Sequence, residues 1–485
     1  MKRIIAAVVI AVSVPLMALG QANETGKPNV LLIVTDDCNV DLECYGHDLV
    51  KTPHIDNLAQ RGIRFTHAYA QYPVCNPSRS SFMTSLYPYQ TGVLSNGGNF
   101  REKNPNVVTL SQMFRNHGYT AARVGKIYHY GVPGQIGTDG DDDLASWDIR
   151  VNPRGIDREI HEQIHSIRPD APLESRFGGT LSWLRVENES EEHTDGIGAS
   201  EAIRLLDQLN PETTGRPFFL AVGFYRPHTP YVAPGRFFDM YPRDQIHPEM
   251  ERPDDRDDIP MAAWHDRPGQ RELSIEKRKE IIQAYYASIS LMDEQVGRLM
   301  GALDKRDLSK NTVVVFLSDH GYHLGAHGLW QKSDLFEGSC HVPLVIVEPG
   351  NSNAGGVAPN PVELVDLYPT LADLCSITAP QHIRGTSLHP ILENPAQSVK
   401  PAALSVTVSR ARQMHKSFTK EKVMGHSVRT TRFRYTQWGD GKHGHELYDY
   451  KTDPNEYTNL ANNPDHLETV RKMQTILKRA LSAAQ

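Results

Sequence analysis

Cys75 heads the run Cys75-Asn76-Pro77-Ser78-Arg79, and the residues after it bear on whether a nucleophile at this point could act on an anion. A cysteine taken alone is usually a small buried hydrophobe. The following Ser80-Ser81-Phe82-Met83-Thr84-Ser85 predicts a helix beginning near Ser78. Its free N–H groups and the positive end of its dipole would face Cys75 and favour negative charge there. Arg79 adds a full positive charge. Elsewhere, Asp36, Asp37 and Asp319 offer hard carboxylate oxygens of the kind that hold Ca²⁺ or Mg²⁺. Lys126, His129 and His228 add charged or imidazole groups of the kind that bind anions and move protons. Singly, each of these residues has an ordinary use as a helix cap or a surface charge.

These residues must be gathered by the fold, and the pattern of the chain predicts how. Residues 30–34 form a continuous apolar run of the kind found in strands buried on both faces of a parallel sheet, and the run ends at Thr35-Asp36-Asp37. The pattern recurs. Residues 121–124 precede Lys126 and His129, residues 218–224 precede Arg226-Pro227-His228, and residues 313–317 precede Ser318-Asp319-His320. Ligands of open α/β sheets bind beyond the carboxyl ends of the strands, so four such runs predict one shared site.

Helical spacing is expected over residues 55–59, 110–117, 199–209 and the long amphipathic stretch 281–299, which would flank the sheet. Residues 342–347 read as a further strand and 362–375 as a further helix. Pro390, Pro395 and Pro401 mark a linker-like change of texture. Beyond it lie a strand-like run at 403–408, the basic stretch 429–435, Glu446-Leu447-Tyr448-Asp449 and a helical tail over 467–483. The expected architecture is α/β: a large, mostly parallel sheet flanked by helices over residues 23–385, with a smaller α+β subdomain over 386–485.

A rival cation site at Asp139, Asp141, Asp142 and Asp143 fails the EF-hand template. Its sixth position is Leu144 where Gly is needed, and its twelfth is Arg150 where a bidentate Glu belongs. This acidic run is expected to be a solvated loop.

Lys2 and Arg3 precede an apolar run over residues 4–18, followed by Gly20 and Ala22, which is the pattern of a cleaved secretory signal over residues 1–22. Ser13 and Pro15 interrupt a run already short for the ~20 apolar residues of a membrane span. A secreted or periplasmic protein without a stable membrane anchor is expected. Cleavage removes two bases and no acid, moving the formal charge from −7 to −9. That surface excludes general binding of nucleic acid, so any anionic substrate must be held by a local cationic cluster. Of five cysteines, Cys38, Cys44, Cys340 and Cys375 remain beside Cys75, and sequence does not give a disulfide connectivity.

The C-x-P-S-R run resembles the signature of type I sulfatases, and Tyr72-Pro73-Val74 before it agrees. The likeness extends over 31–92, 219–238, 316–350 and 446–454, where the chain is similar to the iduronate-2-sulfatase branch of the alkaline-phosphatase-like superfamily. His323-Leu324-Gly325-Ala326-His327-Gly328 and Trp330-Gln331-Lys332 sit where that branch places loops facing the substrate. The resemblance implies that a maturation enzyme oxidises Cys75 to formylglycine, whose hydrate attacks the sulfur of a sulfate ester. It implies one Ca²⁺ held by Asp36, Asp37, Asp319 and His320 at Cys75, with His320 standing where most sulfatases carry Asn or Asp. Arg79, Lys126 and Lys332 would spread the charge on sulfate, His228 would protonate the leaving sugar oxygen, and His129 would take the remaining hydroxyl proton. The implied partner is a sulfated oligosaccharide or polysaccharide, with a 2-O-sulfated uronic acid as the first choice. A second positive group, with Lys332, His228, His323 and His327 as candidates, would meet its carboxylate. A sulfatase acting on another sulfated polysaccharide position, a phosphonate or phosphate ester hydrolase of the same superfamily, and a sulfated-glycan binding protein are the alternatives.

Overall fold

A computed structural model describes residues 26–172, 177–267, 269–414 and 416–484 of the chain. The segment expected to be a signal peptide, residues 1–22, lies outside them. The strands of the main sheet are β1 (Asn29–Asp36), β2 (Ile63–Tyr69), β3 (Thr120–Gly125), β4 (Ile149–Val151), β5 (Phe218–Pro227), β6 (Thr312–Ser318), β7 (His341–Val347) and β8 (Val357–Ala358). They lie in the order β8-β2-β7-β6-β1-β5-β3-β4, and Val362–Glu363 also pairs with β2. β1 runs parallel to β5 and β6, and β3 runs parallel to β5 and β4. β7 is antiparallel to both β2 and β6, so the sheet is mostly parallel with one reversed strand.

The apolar runs are continuous because both faces of the sheet are covered. On β1, Leu31 and Ile33 enter one core, and Val30, Leu32 and Val34 enter the other. The first core is closed by α1 (Pro53–Arg61), α4 (Thr194–Gln208) and α5 (Ile275–Lys305), the second by α2 (Cys75–Thr84), α3 (Leu110–Asn116) and α6 (Leu367–Leu374). In α5, Ile281, Tyr285, Ile289, Met292, Val296 and Leu299 all fall on the buried stripe that their spacing predicts. Each fully buried side chain of this size contributes about 1.5–3 kcal/mol relative to exposure.

Three expectations are corrected here. The helix expected over 362–375 is shorter, because residues 362–363 pair with β2 and a 3-10 turn precedes α6. The nucleophile helix starts at Cys75 itself, three residues before Ser78. Pro77 allows this, since a first-turn residue needs no N–H for the helix ladder. The acidic run is not simply solvated. Asp142 is buried and pairs with buried Arg123 at 2.7 Å, while Asp143 pairs with Arg101 at 2.8 Å. All five cysteines are free thiols.

The C-terminal subdomain is a four-stranded antiparallel sheet, β9 (Ala403–Val408), β10 (Met424–Arg429), β11 (Phe433–Trp438) and β12 (His445–Asp449), crossed by α7 (Leu467–Ala484). Val470, Met473 and Leu477 of α7 pack with Leu404, Val406, Val428, Tyr435 and Leu447. Tyr72 and Val74, which lead into Cys75, belong to the same cluster. Among the described residues no helix is long and apolar enough to cross a membrane.

Candidate active site

The strand ends meet as the sequence pattern requires. Asp36 ends β1, Asp37 follows it, Asp319 and His320 follow β6, and His228 follows β5. Lys126 follows β3 through a tight exit. Gly125 has φ +72° there, and a Cβ on it would lie 2.2 Å from the Gly223 carbonyl oxygen. A side chain at Gly223 would in turn meet the Lys126 carbonyl at 2.0 Å, so two glycines permit the approach that delivers this lysine. Cys75 is the first residue of α2, and Arg79 follows one turn later on the same face. Lys332 enters from the far side, just after the short strand Trp330–Gln331.

All ten side chains expected at the site converge. Cys75 Sγ lies 3.1 Å from Lys332 Nζ, 3.3 Å from His320 Nε2 and 3.4 Å from Asp36 Oδ1. Lys126 Nζ donates to Asp36 Oδ2, and Lys332 Nζ donates to Asp37 Oδ1. Arg79 donates through Nε to Asp319 Oδ2 at 2.9 Å and through Nη1 to the Ile127 carbonyl at 3.0 Å. His228 Nε2 lies 3.8 Å from Asp37 Oδ2. His129 lies close enough to Cys75 for the two to act on one another electrostatically, and its Nδ1 is buried without a hydrogen-bond partner. Burial raises the Cys75 thiol, but Lys332, Lys126 and His320 together hold it well below its ordinary value. Negative charge at the Sγ position is therefore strongly favoured. In an oxidised residue 75 that position stands in for the oxygens on the former Cβ.

The acidic groups divide. Burial and the Cys75 charge push Asp36 up, but Lys126, His228 and Arg79 hold it below the usual carboxylate range. Asp319, fully buried, is pushed up to about 7 by burial, against the opposing pull of Arg79. Asp37 has φ +65°, an uncommon conformation for a non-glycine residue, and its Oδ2 is buried with no hydrogen-bond partner. An orphaned buried carboxylate oxygen in a strained residue is what a cation ligand looks like when the protein alone is considered. Atoms of Asp36, Cys75, Asp319 and His320 lie within 4.8 Å of one another, as do those of Asp36, Asp37, Cys75 and His228. His320 Nδ1 lies 2.9 Å from the Gly321 carbonyl and donates to it, so the neutral ring that a cation would select would turn the Nε2 lone pair to the cluster. Three hard carboxylates and one oriented imidazole fit a divalent cation.

The sequence match settles which family builds a site of this kind. The family model described as Sulfatase covers residues 28–377, and that described as N-sulphoglucosamine sulphohydrolase, C-terminal, covers residues 325–483. The chain belongs to the sulfatase family. This sulfatase is 32% identical to human iduronate 2-sulfatase over 92% of its own length and 94% of that protein's. It is 30% identical to a sulfatase of Formosa agariphila, over 94% of this chain and 87% of the other. Among solved structures, the phosphonate monoester hydrolase of Agrobacterium radiobacter matches with a TM-score of 0.76 at 25% identity, covering 94% of this chain and 95% of that one. A 2-O GAG sulfatase shares the fold with a TM-score of 0.70 at 24% identity, covering 94% and 92%. The protein is a sulfuric ester hydrolase of the alkaline-phosphatase-like fold.

Two sequence candidates for a carboxylate partner are already engaged in this sulfatase. His323 Nε2 pairs with Asp334 at 3.0 Å, and His327 Nδ1 pairs with Asp255 at 3.0 Å. Lys332 and His228 both face Asp37. The sequence reading missed Ser78, whose Oγ donates to the Asp319 carbonyl and ties α2 to the end of β6, although it lies inside the motif. It also missed Arg267, which donates to the Lys332 carbonyl at 3.2 Å from a loop with no periodicity.

Proposed function

We propose that this sulfatase is exported, is matured at Cys75 to formylglycine, binds one Ca²⁺ and removes sulfate from sulfated carbohydrate, with a 2-O-sulfated uronic acid as the favoured substrate. The observation that carries the reading is the convergence on Cys75 of Lys332, His320 and Asp36 within 3.4 Å, at the head of a helix. The likeness to iduronate 2-sulfatase over nearly the whole chain supports the sugar class. Asp36, Asp37, Asp319 and His320 would hold Ca²⁺, which supplies Lewis-acid charge on sulfate and nucleophile oxygens when bound. Formylglycine supplies, as its hydrate, a hydroxyl nucleophile that can be regenerated.

The remaining work falls to the chain's own side chains. Lys126 and Lys332 set positive charge on either side of the reacting position and favour the charge that grows on the sulfuryl oxygens. Arg79, locked to Asp319 and to backbone carbonyls, holds the head of α2 against the ends of β1 and β6. His228 Nδ1 contacts the Thr229 carbonyl and so carries a proton, which leaves Nε2 turned to the site. Donation to a leaving sugar oxygen therefore needs a proton on Nε2 as well. His129 accepts the proton released at residue 75.

Release of inorganic sulfate from a panel of defined sulfated disaccharides tests the reading. Turnover confined to a 6-sulfated hexosamine would remove the uronate assignment, and no turnover of any sulfate ester by formylglycine-bearing protein would remove the sulfatase reading. The likeness to a phosphonate monoester hydrolase favours one second reading, and matched sulfate and phosphonate esters separate the two.

A further inference from the structure

A cavity of about 690 Å³ lies beside the Lys332 loop, within the size range of small-ligand sites, lined in part by Arg168, Thr180, His265, Arg267, Gln270 and Arg410. Two of its arginines, Arg267 and Arg410, form no ion pair with a carboxylate among the described residues, although a buried guanidinium ordinarily has one. Among the described residues Arg267 donates only to the carbonyls of Gly179, at 3.4 Å, and Lys332, at 3.2 Å, and its buried Nε has no hydrogen-bond partner there. Among the described residues Arg410 forms no ion pair. The other acids and arginines lining the cavity are paired or exposed. Asp266 is held by Arg256 at 2.8 Å, Arg271 is held by Glu251 at 2.7 Å, and Glu272 stands exposed. Burial and the neighbouring Arg410 charge push Arg267 down to about 10, and burial with both arginines holds His265 well below its ordinary value. Two half-buried cations that line one cavity without an ion-paired carboxylate among the described residues, only the more distant charges of Asp37 and Asp334 offsetting Arg267, lose stability, and an anion bound beside both would recover it.

We infer that Arg267 and Arg410 form an oxyanion subsite that takes the carboxylate of the sugar whose sulfate lies at Cys75. Lys332 links the two places. Its carbonyl accepts from Arg267 while its Nζ lies 3.1 Å from Cys75 Sγ, so one lysine side chain spans the gap between them. A uronic acid sulfated at position 2 carries its carboxylate on the opposite side of the ring, and the guanidinium fork matches a planar carboxylate through paired hydrogen bonds. This inference deepens the proposed function and rests on it.

The test uses full-length Cys75→Ala protein, with calorimetric titration of a 2-O-sulfated uronate disaccharide, its carboxyl-reduced counterpart, and the same uronate with an unsulfated neighbour. The preference for the uronate over the carboxyl-reduced sugar should fall ~10-fold or more in Cys75→Ala/Arg410→Gln. Cys75→Ala/Arg410→Lys should retain part of it, which separates lost charge from lost folding. An undiminished preference, or equal weakening of both sugars, overturns the subsite. A loss seen only when the neighbouring sugar is sulfated also overturns it and assigns the arginines to a second sulfate. Failure of the parent reading is seen separately, as no release of sulfate from any sulfate ester, the uronate disaccharide included, by matured wild-type protein.

Discussion

Arg79 Nε and Asp319 Oδ2 meet at 2.9 Å with both side chains fully buried, and Arg79 Nη2 lies 3.4 Å from equally buried Asp36. One guanidinium thus offsets two carboxylates from adjacent parallel strands. Removing one partner of such a pair leaves an uncompensated buried charge, which costs about 3–5 kcal/mol. Arg79→Ala should unfold at a clearly lower urea concentration and lose about 10²–10³ in kcat. Arg79→Lys, which keeps the charge but not the fork, should fall between the two. An unchanged urea midpoint in Arg79→Ala would show that Asp36 and Asp319 find their balance elsewhere.

The strands were legible because burial on both faces writes itself as unbroken apolar runs, and the site was legible because those runs end in charged residues. β1, β3, β5 and β6 and their terminal Asp36, Lys126, His228 and Asp319 all lie where the pattern puts them. The reversed direction of β7 was not legible, since an apolar run has no polarity. Nor was the fate of the acids at 139–143, because their partners Arg123 and Arg101 lie on separate elements. Arg267 and Arg410 escaped for a related reason: arginine in an irregular segment looks like solvated surface until the fold removes its acids.

Calcium should be required and exchangeable. The orphaned Oδ2 of Asp37, the strain at its backbone and three clustered carboxylates all point to a bound cation. Exhaustive chelation should abolish turnover, and added Ca²⁺ should restore it. The same titration should raise Tm, because a ligand at 100 times its Kd stabilises by about 2.7 kcal/mol. Asp37→Asn, with one charge fewer, should need more Ca²⁺ for the same Tm. Chelated protein with full turnover and an unshifted Tm would refute the cation site.

A pH signature away from the site comes from His327. Burial lowers its imidazolium, but the hydrogen bond and charge of Asp255, with Glu456 and Glu249, hold it above its ordinary value of 6.5. A histidine raised in the folded state contributes stability that is fully present below pH 6.5 and is lost as pH rises through the folded value. Urea midpoints of wild type and His327→Gln should therefore differ most near pH 6 and converge at higher pH. A gap that widens as pH rises would mean that the neutral ring is the form the fold prefers.

The C-terminal sheet should prove inseparable from catalysis. Val406 N donates to the Gln71 carbonyl at 2.9 Å, Ser405 Oγ donates to the Ala70 carbonyl at 2.6 Å, and Val408 N donates to Tyr72 Oη at 3.2 Å. β9 therefore holds the segment that delivers Cys75, and Tyr72 and Val74 share a core with Leu404, Leu447 and Leu477. Leu477→Ala opens a cavity in that core and should cost about 2–5 kcal/mol. Because the cavity lies against the lead into α2, the surviving folded enzyme should also turn over more slowly. A chain ending at residue 385 would expose the apolar faces of Tyr72 and Val74 and leave the carbonyls of residues 70 and 71 without their donors, so it should be inactive and aggregate. Soluble truncated protein that hydrolyses an aryl sulfate at the wild-type rate would refute this coupling and make residues 23–385 a self-sufficient catalytic unit.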